Sequence, residues 1–211
     1  TITADDNGIL ISYSSTVATS ITNSGTIEAG DHGIFVNEES KVLGDITNSE
    51  GATINAGENG IFVDESSLVG GSIINNGEIN APSVVVPVDV MDDVTNSTAD
   101  IEISTDNNGI IVSDSSKVFG DISNTGKMTV DGNGIVVTSS TVFDNVSNGS
   151  GGVITAEKNG ILINQSDIGD NITNSGTIVA DDNDGIQVDR STVGEDITNS
   201  GAITSENASG I

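Results

Sequence analysis

Acidic side chains gather ahead of a recurring Asn-Gly-Ile tripeptide: Asp5, Asp6, Asp31, Glu58, Asp106, Asp131, Glu157, Asp181, Asp182 and Asp184. Carboxylate and carbonyl oxygens are the ligands Ca²⁺ prefers. The run Ala-Asp-Asp-Asn-Asp at 180–184 is the densest local set, so Asp181, Asp182 and Asp184 are the calcium candidates. The Gly-Gly-x-Gly-x-Asp pattern of calcium-binding β-rolls is absent, and calcium is the one cofactor the pattern admits. The competing reading is a solvated edge. Acids stacked about 5 Å apart would repel by a little under ~1 kcal/mol per pair in water, a cost that salt reduces.

Covalent chemistry has few candidates. His32 is the only histidine and replaces Asn in an Asn-Gly turn, which suits a turn residue better than a base. The pairs Ser14-Ser15, Ser66-Ser67 and Ser115-Ser116 have no nearby base to activate a hydroxyl and look like a recurring loop ladder. The chain has no Cys, hence no disulfide and no thiolate chemistry. Acids that recur at regular intervals do not single out one place, and no phosphate loop, zinc spacing or dinucleotide fingerprint appears. The expectation is a non-enzymatic protein with no catalytic residues.

Thirty-two acids against five bases give a net charge of −27. That sign opposes nucleic acid, whose binding requires cations on the protein, and opposes anionic lipid. No apolar run is long enough to span a bilayer, so no membrane insertion is expected of this segment.

The regularity behind these positions is a repeat of roughly 25 residues. Aligning on Gly-Thr-Ile gives a column of Ile2, Ile27, Ile54, Ile79, Ile103, Met128, Ile154, Ile178 and Ile203. The Asn-Gly-Ile motif gives Ile9, Ile34, Ile61, Val86, Ile110, Ile135, Ile161 and Ile186. Further columns start at Val17 and Ile21. The apolar residues are β-branched and come in i, i+2 pairs, which is strand periodicity, separated by Gly/Asn turns that permit positive φ. Such a repeat cannot bury its apolar side alone, and stacking copies one strand spacing apart turns each column into a ladder. The predicted fold is all-β: a parallel β-helix (β-solenoid) of about eight coils, three short strands per coil, roughly 40 Å long at ~4.8 Å per coil.

The most regular column is polar: Asn23, Asn48, Asn75, Asn96, Asn124, Asn148, Asn174 and Asn199. Each lies two residues after an apolar position and so points inward, where stacked amides can pass hydrogen bonds from coil to coil. The residue between the two apolar positions of each Ile-x-Val strand points outward. That column holds Leu10, Phe35, Phe62, Pro87, Ile111, Val136 and Leu162, followed by Gln187. A contiguous apolar stripe on so charged a chain is a candidate interaction surface. The coil at 79–102 departs from the pattern: it holds both prolines, Pro82 and Pro87, and lacks Asn-Gly.

At Asn-Ser-Gly-Thr-Ile…Ala…Asn-Gly-Ile-x-Val the chain resembles the repeat region of bacterial autotransporter-type (type V secreted) and haemagglutinin-like surface adhesins, over nearly its whole length. The resemblance implies secretion, display at the bacterial cell surface, and a role in adhesion or cell–cell association. Residues 1–211 then read as one solenoid segment of a longer chain: a structural, adhesive rod. Its expected partners are other copies of itself, side by side or end to end, or a host or neighbouring cell surface. The alternatives carried forward are a calcium-dependent surface-array or filament module and a glycan-binding or glycan-cleaving β-helix.

Overall fold

The structure is a computed structural model that describes residues 1–211 except 65, 82, 87–88, 97–100 and 103–107; for 83–86 and 101–102 only the backbone is considered. The chain winds into stacked parallel coils of about 25 residues, with no helix among the described residues. Each coil has four faces. The first coil shows them in order: Ile2–Ala4, Ile9–Ile11, Thr16–Val17 and Ile21–Asn23. The second, third and fourth faces are each an eight-stranded parallel sheet, so seven turns separate the outermost strands. The first face is two sheets, one ending at Glu78–Asn80 and the other beginning at Ile101–Glu102.

Four strands per coil is one more than the sequence suggests. The additional strand is the two-residue third-face element, such as Lys41–Val42 or Lys117–Val118. It contributes a single inward residue, so it shows no alternation along the chain and betrays itself only as a column of Val.

Register holds from coil to coil. Ile2 pairs with Ile27, Ile34 with Ile61, Val69 with Val90 and Ile122 with Val146. The inward columns form one continuous core; Ile34, Val36, Val42, Ile46 and Ile54 in successive faces are fully buried. β-Branched side chains suit these short strands because they have few rotamers to lose and pack well across a pleat.

In the irregular coil the register corrects the alignment by two residues. Val84 pairs with Ile110 and Val86 with Val112, so Val84, and not Val86, stands in the Asn-Gly-Ile column. Pro87 lies outside the described residues. The backbone opposite both Phe62 and Ile111 is that of Val85, which takes the stripe position assigned to Pro87. Without an Asn-Gly to anchor it, the repetitive Val84-Val85-Val86 run aligns equally well in more than one frame. The pairing between Asn59–Val63 and Ser83–Val86 also carries a register shift.

The Asn-Gly glycines serve a purpose other than the positive φ anticipated for them. Among the described glycines only Gly51 (φ 75°) and Gly151 (φ 87°) are left-handed. A Cβ on Gly33 would overlap Ile54 Cγ2 and Gly60 O, and one on Gly160 would overlap Ile178 Cγ2 and Gly185 O. The glycine column is the space into which the first-face Ile of the next coil projects. Left-handed backbone falls instead on non-glycine residues at the corner between the second and third faces: Tyr13, Ser14, Glu38, Glu39, Ser66, Asp114, Ser115, Ser139, Gln165 and Arg190. Gly160→Ala is therefore expected to lower stability by about 1–3 kcal/mol through overpacking, whereas Gln165→Gly at φ 51° should be neutral or stabilising. Chemical denaturation of both variants checks the contrast.

Candidate functional site

Each corner of the coil carries its own polar ladder. At the corner between the fourth and first faces, every Asn Nδ2 donates to the Oδ1 of the next Asn. The steps are Asn23 to Asn48 (2.8 Å), Asn48 to Asn75 (2.9 Å), Asn75 to Asn96 (3.3 Å) and Asn96 to Asn124 (2.7 Å). They continue from Asn124 to Asn148 (2.9 Å), Asn148 to Asn174 (2.8 Å) and Asn174 to Asn199 (2.9 Å). Asn23 through Asn174 are buried and Asn199, in the last coil, is exposed. The amides also close their own turns: Asn23 Oδ1 accepts from Gly25 N, and Asn124 Nδ2 donates to Gly126 O. All eight residues are thus brought together, in an interior arrangement that meets the requirement that buried polar groups be paired.

Two further ladders accept backbone N–H groups. Between the third and fourth faces, Asp45 Oδ1 accepts from Ser72 N, Asp93 Oδ1 from Asp121 N, Asp121 Oδ1 from Asn145 N, and Asn145 Oδ1 from Asn171 N. At the Asn-Gly corner, Asn108 Oδ1 accepts from Asn133 N, Asn133 Oδ1 from Asn159 N, and Asn159 Oδ1 from Asp184 N. The serine corner runs the other way along the rod: Ser15 N donates to Ser40 Oγ, Ser40 N to Ser67 Oγ, and Ser140 N to Ser166 Oγ. Ser40, Ser67, Ser116, Ser140 and Ser166 are accordingly buried.

The acids ahead of the Asn-Gly turns do not assemble a metal centre. Asp181 and Asp182 are exposed, and Asp184 Oδ1 accepts from Ser209 N at 2.8 Å. Among the described residues no three Asp, Glu, His or Cys side chains converge as metal ligands. The structure therefore does not bring the calcium candidates Asp181, Asp182 and Asp184 together as a set of three ligands: one carboxylate is engaged with backbone and the other two residues are exposed. Asp106 lies outside the described residues.

His32 is more than a turn residue. It is buried at 8% exposure, and its ring meets Phe35 and Phe62 edge-on at 4.6 and 4.9 Å. Those two phenyl rings stack on each other at 5.0 Å. Asn59 Nδ2 lies 3.2 Å from His32 Nδ1, and the exposed Glu58 carboxylate lies 3.5 Å from Nε2. The Nδ2 group of Asn59 donates, so the matching tautomer accepts at Nδ1 and directs an Nε2–H toward Glu58. This environment locks a ring in place at the Asn-Gly corner.

The stripe forms as an in-register column: Leu10 pairs with Phe35, Phe35 with Phe62, Ile111 with Val136, Val136 with Leu162, and Leu162 with Gln187. Its exposure is graded. Leu10 is 49% exposed, Val136 only 6%, and Phe35, Phe62, Ile111 and Leu162 are half-buried because each is flanked above and below by its own equivalents. No member of the column is charged.

A second outward apolar column is hidden in the sequence. The residues after the third-face Val include Leu43, Met91, Phe119 and Phe143, at 50%, 45%, 38% and 44% exposure. Glycines at 70, 169 and 194 interrupt it. The signal that finds it is the i, i+2 rule applied outward from Lys41, Asp89, Lys117 and Thr141 across the buried Val42, Val90, Val118 and Val142. Beside it the Asp144 carboxyl is held above the usual aspartate range by desolvation and then by the carboxylates of Asp121, Asp170 and Asp93.

Taken together, the coil stacking and corner ladders define a β-solenoid. No known protein family, curated protein or solved structure matches the chain.

Two outcomes follow. Asn124→Ala strands the donor of Asn96 and the acceptor of Asn148 in the interior, at about 1–3 kcal/mol each; Asn199→Ala at the exposed end of the ladder should cost under ~1 kcal/mol. Denaturant midpoints of the two variants measure the difference. Because the Asp144 pKa is raised on folding, the folded state holds this proton more tightly. Stability should rise as pH falls from that raised value toward 3.8, the unperturbed one. Asp144→Asn should therefore raise the melting temperature at neutral pH, and lose that advantage below the carboxylate range and in high salt.

Proposed function

We propose that this chain is a structural, non-enzymatic β-solenoid rod displayed outside a bacterial cell, where it presents a repetitive surface for association. The observation that carries the reading is the uncharged in-register column Leu10, Phe35, Phe62, Ile111, Val136 and Leu162, on a chain whose net charge is −27. Its flank at the Asn-Gly corner carries Asn7, His32, Asn59, Asn108, Asn133 and Asn159 next to the column, with Asp31, Glu58, Asp131 and Glu157 one or two residues further out. Two rods can bring the uncharged columns themselves together once salt screens the acids that border them, and without screening those acids keep the rods soluble and apart. Backbone ladders on four faces supply the stiffness a projecting or assembling rod needs. The adhesive role and the surface location rest on the resemblance of the repeat to surface adhesins; the fold is compatible with both.

The strand and corner residues recur about every 25 residues, which builds arrays in preference to a single convergent centre. That distribution favours association over catalysis.

Sedimentation velocity over a concentration series, with electron microscopy of the same samples, tests the reading. Side-by-side association is expected, strengthening with salt as the acids are screened, and weakening in an Ile111→Ser/Leu162→Ser variant of unchanged melting temperature. A chain that stays monomeric at every concentration and salt would remove the lateral-packing mechanism. Antibody labelling of intact source cells tests the location.

A further inference from the structure

We propose that the outer surface of the third face is a docking groove for an extended polypeptide that is both cationic and apolar. This goes beyond the lateral association above: it uses another face and another partner.

Three shallow hollows of about 510, 520 and 470 Å³ lie along this face. They share lining residues, Ser66 between the first two and Ser115 and Lys117 between the second and third, so they form one groove parallel to the rod axis. The left-handed loops of the serine corner make one wall. The adjoining outward column, two residues along the chain from Lys41, Asp89, Lys117 and Thr141, holds the exposed Leu43, Met91, Phe119 and Phe143, of which Met91 lines the second hollow. From Leu43 to Phe143 is four coil steps, about 19 Å, which an extended segment of about six residues would cover.

Charge selects the occupant. Beyond the apolar column, and continuous with it, stand Asp45, Asp92, Asp93, Asp121, Asp144, Asp170, Glu195 and Asp196. The hollows themselves are lined by Lys41 and Lys117 against Glu38, Glu39, Asp89, Asp114 and Asp167, a net negative surface. The Asp144 carboxyl feels its neighbours as unneutralised charge. A second copy of the chain would bring acids against acids here. A cationic segment would neutralise them while its apolar residues cover the column.

The rings decide between peptide and sugar. Phe119 and Phe143 lie face to face, 4.7 Å between centroids and 9° apart. Those facing surfaces are occupied by each other, so the column offers edges and aliphatic surface, suited to Leu-like side chains and poorly suited to stacking a pyranose ring.

The test titrates the full chain into a fluorescent peptide of about ten residues alternating Arg and Leu, long enough to exceed the column. Peptides alternating Arg with Ser and Glu with Leu serve as controls. Expected are binding of the Arg/Leu peptide, at least about tenfold weaker binding of Arg/Ser, and none of Glu/Leu. Phe119→Ser/Phe143→Ser should weaken the Arg/Leu peptide about tenfold or more. Asp144→Asn/Asp170→Asn should weaken it at low salt, with the difference vanishing at high salt. Ile111→Ser/Leu162→Ser on the second face should leave it unchanged, which separates this proposal from lateral association; melting curves verify that all variants fold. Equal binding of Arg/Ser and Arg/Leu, or indifference to Phe119→Ser/Phe143→Ser, overturns the proposal. Loss of self-association in that phenylalanine variant would name a second copy as occupant, and displacement of the peptide by a neutral oligosaccharide would name a glycan; either overturns it too.

Discussion

Every part of this molecule depends on one constraint: a residue's nearest neighbours above and below are its own equivalents in adjacent coils. Backbone pairing imposes it, as in Thr22 with Thr47 or Ile172 with Ile197. A side chain is acceptable only if copies of it tolerate each other at strand spacing. Asn meets that test in the interior because its amide is both donor and acceptor. Ile and Val meet it because like packs on like. A carboxylate meets it only by turning to solvent or by accepting a backbone N–H, as Asp121 does from Asn145.

The same constraint explains what was legible in the sequence. The interior Asn column could be read because strand alternation ties it to Ile21, Ile46 and their equivalents two residues earlier, and coil lengths vary mainly at loops outside that pair. The third face was opaque because a two-residue strand has no period. The Asn-Gly glycines were legible as turns but not as steric gaps, since their partner is the Ile of the following coil, remote in sequence: Gly33 makes room for Ile54. The column of Leu43, Met91, Phe119 and Phe143 was lost among glycines that occupy the same position in other coils. Three acids within four residues suggested a metal site, yet neighbours along a turn splay outward, and only residues in different coils share a direction.

Two outward surfaces result, and their electrostatics differ. The second-face column is bordered by Asn with acids one or two residues beyond and is mostly half-buried, whereas the third-face column is bordered directly by Asp and well exposed. Stacking turns acids that recur at one corner, as Asp93 and Asp121 do, into an array of charge. The acidity concentrated beside Phe119 and Phe143 is consequently a property of the column more than of any residue.

The interior amides all point the same way: each bond is donated toward the coil that follows, from Asn23 through to Asn199. Hydrogen bonds in series polarise one another, so this file of aligned dipoles gives the rod an intrinsic arrow along its axis. A coil added at one extremity meets an amide N–H donor and at the other an amide carbonyl oxygen. Elongation of such a stack is therefore vectorial, and its two extremities are chemically unlike however many coils lie between them.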